Sequence, residues 1–146
     1  MAARKQWVFS PHAGGSKIPP ALQAQVHSRI LDYARRHYDG SYTRIEVRFR
    51  GALCYIDAFS EPSPPSPALL RALKETRAHH LERLRATPMH LCRLRYFSFR
   101  SHWSVALYTY SNERYAPTVL PTGEYFGTPE ECFALAASFH LVQGTA

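Results

Sequence analysis

Arg44-Ile45-Glu46-Val47-Arg48-Phe49-Arg50-Gly51-Ala52-Leu53-Cys54-Tyr55-Ile56-Asp57-Ala58-Phe59 is the stretch that decides the fold. Its first seven residues alternate strictly. Ile45, Val47 and Phe49 point one way, and Arg44, Glu46, Arg48 and Arg50 the other, which is the period of a half-buried strand. A tight turn at Arg50-Gly51 then returns the chain as a second strand over residues 52–59, making an antiparallel hairpin. A two-residue turn there sets Arg44 opposite Asp57 as an ion pair.

A second hairpin is expected downstream, with strands over residues 91–99 and 103–110 joined through Arg100-Ser101-His102. A shorter strand pair, 115–120 and 124–126, flanks the turn Pro121-Thr122-Gly123. Before the first hairpin, Leu22, Val26, Ile30 and Ala34 repeat at helical spacing and predict a helix over 20–38, opened by Pro19-Pro20 and stopped by Asp39-Gly40. Ser66 as N-cap, Pro67 in the first turn and the leucines at 69, 73, 81 and 84 predict a second helix over 67–85. Thr128-Pro129-Glu130-Glu131 has the form of a capping box and opens a last helix that runs through His140, with Gly144 beyond its end. The order α-β-β-α-β-β-β-β-α reads as one α+β domain. It has an antiparallel sheet of four to six strands with about three helices packed on it. The proline-rich stretch 60–67 is read as a loop inside that domain.

With 146 residues, 45% of them hydrophobic, the chain can bury a core without staples. No apolar run is long enough to span a membrane, and the first residues lack the apolar region of a secretory signal. Three scattered cysteines, Cys54, Cys92 and Cys132, fit a reducing cytoplasm better than a disulfide framework. The formal net charge is +7, and the basic residues are arginines apart from Lys5, Lys17 and Lys74. Guanidinium groups suit phosphates, carboxylates and aromatic faces, so a polyanionic partner is favoured.

Several segments together resemble a family of small bacterial proteins frequent in cyanobacteria. They are Trp7-Val8-Phe9-Ser10-Pro11, Gly14-Gly15-Ser16-Lys17-Ile18-Pro19, Cys54-Tyr55-Ile56-Asp57-Ala58, His90-Leu91-Cys92-Arg93-Leu94-Arg95-Tyr96-Phe97, Tyr108-Thr109-Tyr110-Ser111 and Gly127-Thr128-Pro129-Glu130-Glu131. The resemblance spans nearly the whole chain and implies no activity, cofactor or catalytic residue.

Function is sought in the sheet faces. Hairpins with two-residue turns put Ile45, Val47, Phe49, Cys54, Ile56, Cys92, Leu94, Tyr96, Trp103, Val105 and Leu107 on one face, the expected core. The opposite face collects Arg44, Glu46, Arg48, Arg50, Tyr55, Asp57, Phe59, Arg93, Arg95, Phe97, Phe99, Tyr108 and Tyr110. Five arginines interleaved with six rings form a surface on which unpaired bases stack while guanidinium groups hold phosphates. The expected binding residues are Arg44, Arg48, Arg93 and Arg95 for phosphates, and Tyr55, Phe97, Phe99 and Tyr108 for stacking. The expected role is non-enzymatic binding, and the expected partner is RNA or single-stranded DNA. An acidic protein surface engaging the same residues, as for an adaptor, inhibitor or subunit, is the alternative. A structural layer covered by helices is the plain reading. A third possibility is a small metal-dependent nuclease built on Asp57 and Glu46.

Other signals are weaker. Gly14-Gly15-Ser16-Lys17 lacks the full spacing of a phosphate-binding loop. The histidines lack cysteine-supported zinc spacing, and His90 and Cys92, two apart on a strand, are expected on one face. No metal, cofactor or catalytic residue is assigned. Cys54 and Cys92 are expected to be inert core thiols.

Overall fold

A computed structural model describes residues 11–98 and 102–141. Phe99, the Arg100-Ser101 part of the second expected turn, the segment Trp7-Val8-Phe9-Ser10 and the helix stop at Gly144 lie outside the described residues.

The elements run α1 (Pro20–Tyr38), β1 (Arg44–Arg50), β2 (Leu53–Phe59), α2 (Pro67–Leu73), α3 (Arg77–Ala86), β3 (Met89–Phe97), β4 (His102–Thr109), β5 (Arg114–Thr118) and α4 (Pro129–His140). The strands form one five-stranded sheet in the order β1-β2-β3-β4-β5, with every neighbouring pair antiparallel. The α+β class with two hairpins is therefore correct.

The core lies on the Ile45 side of the sheet. Helix α1 buries Val26, Ile30, Ala34 and Tyr38, and α4 buries Cys132, Phe133, Ala136 and Ala137. The two helices pack against each other and against β1, β3 and β4. Beneath them lie Ile45, Cys54, Ile56, Cys92, Leu94, Tyr96, Trp103 and Val105. Helix α4 starts where expected. Thr128 accepts from the Glu131 backbone N–H while the Glu131 side chain accepts from the Thr128 N–H, closing the capping box.

Four expectations are corrected. First, the hairpin turn is Gly51-Ala52, because Arg50 pairs with Leu53. Arg44 accordingly faces Phe59, not Asp57. The register differs from the expected one by two residues, so every side chain keeps its face. Second, the helix expected over 67–85 is two helices. Lys74 adopts a left-handed conformation (φ 55°) that caps α2, and the Thr76 side chain accepts from His79 N–H to start α3. Third, residues 124–126 form no strand. Leu120 donates to the Glu124 carbonyl across the Pro121-Thr122-Gly123 turn, and beyond it only Gly127 bridges to Trp103. Fourth, β3 carries a bulge. Ile56 pairs with Cys92 but Asp57 pairs with His90, leaving Leu91 as an extra residue. Leu91 and Cys92 are both buried, while His90 turns to the opposite face from Cys92.

Among the described residues, no helix is long and apolar enough to cross a membrane.

Candidate nucleic-acid interface

Among the described residues no helix layer covers the second face of the sheet, and two different arrangements share it. At one end, residues 11–16 cross the strands. Ser104 donates through Oγ to the Pro11 carbonyl, and Arg95 Nη1 donates to the Gly14 carbonyl at 2.8 Å. Ser16 N–H donates to the Tyr96 carbonyl at 2.9 Å and Ile18 N–H to the Gly51 carbonyl at 3.0 Å. Gly15 has φ 97°, and a Cβ there would lie 2.6 Å from the Tyr96 carbonyl oxygen. The glycine is needed for both conformation and close approach. Two donors of the Gly14-Gly15-Ser16-Lys17-Ile18 loop are thus spent on the sheet, and Ile18 is fully buried. This loop is a strap, not a phosphate cradle.

At the other end no described segment crosses the face, and it is called the open end below. Its centre is Asp57, whose side chain is only 4% exposed. Asp57 Oδ2 accepts from Arg48 Nη2 at 2.9 Å, and Oδ1 lies 2.8 Å from His90 Nδ1. A carboxylate oxygen can only accept, so Nδ1 carries the ring proton and Nε2 is left on the edge away from the carboxylate. The His90 backbone N–H donates to Tyr110 Oη at 2.8 Å, and the His90 ring lies 4.8 Å from that of Tyr108. Tyr108 in turn meets Tyr110 and Tyr115 edge-on, and Tyr115 meets Tyr55. Burial, with the Asp57 charge second, pushes the Tyr115 hydroxyl far above the ordinary tyrosine range, so it stays protonated at any physiological pH. Burial likewise raises Tyr110, and it lowers His140, whose ring packs beside Tyr110.

Three guanidinium groups lie over rings on this face. Arg44 is 4.1 Å from the Phe59 centroid, Arg48 is 5.5 Å from Tyr55 and Arg93 is 5.3 Å from Tyr115. Such pairing orients a cation without neutralising it, though Arg44 also lies 3.8 Å from Glu46, and Arg48 faces both Glu46 and Asp57. Arg44 and Arg48 are exposed, and among the described residues no carboxylate lies within ion-pair distance of Arg93. Glu46 sits opposite Asp57 in the register, yet both face Arg48, Glu46 at 3.5 Å and Asp57 at 2.9 Å. Among the described residues no three His, Cys, Asp or Glu side chains converge as a metal site.

Arg44, Arg48, Arg93, Tyr55 and Tyr108 therefore share the open end, as their alternation implied. Arg95 is on the same face but is committed to the strap. Phe97 is buried and meets Phe126 edge-on, so it is packed inside rather than offered to a base. Phe59 is also buried, beneath Arg44. His90 and Tyr115 are the residues that sequence reasoning missed. The bulge hides His90 from a period-two count, and Tyr115 belongs to a strand whose pairing partner had been misplaced. Where the open face ends, Tyr110 borders a groove of about 690 Å³ lined also by the proline-rich loop, His80, Leu84 and Met89.

The thiols lie on the core side of the sheet. Cys54, Cys92 and Cys132 are free and buried; burial raises Cys54 to about 12 and pushes Cys92 and Cys132 well above the ordinary thiol range.

Fold and site together define a small α+β domain with one helix-covered and one partly open sheet face. No family model, no curated protein and no solved structure matches the chain.

Proposed function

We propose that the open end of the sheet binds single-stranded nucleic acid, RNA or DNA. The observation that carries this reading is the row Arg44, Arg48 and Arg93, each held over a ring on a face that no described helix covers. Guanidinium groups fixed in this way meet phosphates with little loss of side-chain freedom. Tyr55, Tyr108 and Tyr115, each half-buried, offer ring edges and partial faces between them. The formal net charge of +7 brings a polyanion to the surface and favours fast encounter. Three free, buried thiols fit a reducing compartment, so the cytoplasm is the proposed location.

Fluorescence anisotropy of labelled single strands at two salt concentrations tests the reading. Engagement of about three phosphates gives a log–log salt slope of about −2. The double variant Arg44→Ala, Arg93→Ala should weaken binding at low salt and flatten that slope. Absence of binding at low salt would rule the reading out. It would favour the alternative partner, an acidic protein surface held by the same residues.

A further inference from the structure

The open face holds a pair that strand binding does not require. Asp57 is buried where a binding surface would want no carboxylate, and it spends one oxygen on a histidine. Its effect on His90 is specific. It fixes the imidazole tautomer and leaves Nε2 on the ring edge away from Asp57, as the carboxylate does in other Asp-His pairs that move protons. Tyr110 accepts from the His90 backbone N–H and the Tyr108 ring packs beside the imidazole, while 35% of the His90 side chain stays accessible. Arg93 lies on the same strand face, across the bulge, with no carboxylate partner among the described residues.

We propose that His90 is a general base that cleaves bound single-stranded RNA by activating its 2′-hydroxyl. This rests on the nucleic-acid reading above and deepens it, naming RNA rather than DNA as the substrate. The choice of RNA follows from the chemistry available. A single oriented base can deprotonate a neighbouring hydroxyl, and only RNA carries its nucleophile beside the phosphate. The two carboxylates that face each other here, Glu46 and Asp57, already share the Arg48 guanidinium.

The step balances as follows. His90 Nε2 takes the 2′-hydroxyl proton, and the 2′-oxygen forms a bond to the adjacent phosphorus while the bond from phosphorus to the 5′-oxygen breaks. The departing 5′-oxygen takes a proton from solvent water, and the hydroxide left behind is neutralised by the proton carried on His90. The products are a 2′,3′-cyclic phosphate and a 5′-hydroxyl end. Arg93 meets the charge that grows on the phosphoryl oxygens, and Tyr108 supports the base next to the scissile bond. Asp57 acts only through His90, as its positioning residue.

The test uses the full chain with a labelled single-stranded RNA of mixed sequence and its all-deoxy counterpart, in the presence of EDTA. Cleavage is followed on gels that separate cyclic-phosphate ends, and binding of the deoxy strand is followed by anisotropy. The expected result is cleavage of RNA but not DNA. His90→Ala and His90→Gln, purified identically, should lose cleavage by about 100-fold or more, the usual scale of a general base. Both should bind the deoxy strand as the parent does, which also shows that they fold. Binding without cleavage by the parent protein overturns the catalytic proposal and leaves the binding reading standing. Equal cleavage by the variants, or cleavage of the deoxy strand, overturns it too. Failure to bind either strand overturns both readings.

Discussion

The two faces of the sheet are built from the same strands and solve different problems. The face under α1 and α4 is a matter of volume. Phe133, Trp103, Ile56 and Leu94 are almost fully buried, and three cysteines serve there as small apolar groups. The opposite face has no helix layer among the described residues, and it keeps order through pairs, with Arg48 on Asp57, His90 on Asp57 and Arg44 on Phe59. Apolar packing tolerates no gaps and leaves nothing for a ligand. Paired charges and rings hold side chains in place while leaving atoms accessible. An α+β domain with one sheet layer thus gains a surface for chemistry from the face its helices do not reach.

Substitutions can break this contrast in order of expected size. Phe133→Ala on the covered face should cost about 3–5 kcal/mol, read from urea denaturation, because the cavity cannot refill. Alkali should act on the same face. Burial holds the Cys54 proton up to about 12 and raises Cys92 and Cys132 well above the ordinary range, whereas an unfolded thiol releases its proton near 9. The unfolded state then binds fewer protons, so stability is full below about pH 9 and falls as pH rises towards 12. The loss is about 1.4 kcal/mol per pH unit for each such thiol. Denaturation midpoints that stay level between pH 8 and pH 10.5 would contradict this. On the open face, Arg48→Ala should cost about 1–3 kcal/mol by leaving one oxygen of Asp57 without its charged donor. Thr128→Ala, which opens the capping box of α4, should cost about 1 kcal/mol by thermal denaturation. Tyr108→Ala should change stability by less than about 1 kcal/mol yet weaken strand binding by about 1–3 kcal/mol, measured by anisotropy. If Tyr108→Ala instead destabilised the protein as much as Phe133→Ala, the two faces would not differ in kind.

Much of the fold was legible because its causes are local. Helix α1 spans the residues that its four-residue apolar spacing marks, and the α4 capping box needs only Thr128 and Glu131. The break between α2 and α3 also had a local sign, Thr76 as an N-cap, but the continuing leucine spacing masked it. In the first hairpin the turn was misplaced, yet the faces survived because the slip was two residues, an even number.

The site was half legible for the same reason. Alternation was enough to place Arg44, Arg48, Tyr55, Arg93 and Tyr108 together, since strand parity is a property of the chain itself. It could not place His90, because one extra residue at Leu91 reverses parity, and a bulge arises from how β3 fits β2 rather than from either strand alone. Nor could it divide the face. The strap that takes Arg95, the depth at which Phe97 lies and the burial of Asp57 are set by segments far apart in sequence. Short-range periodicity and capping, which the chain carries in itself, marked α1, α4 and the sidedness of most strand residues. Long-range pairing register settled which end of the face the strap crosses and which histidine meets the buried carboxylate.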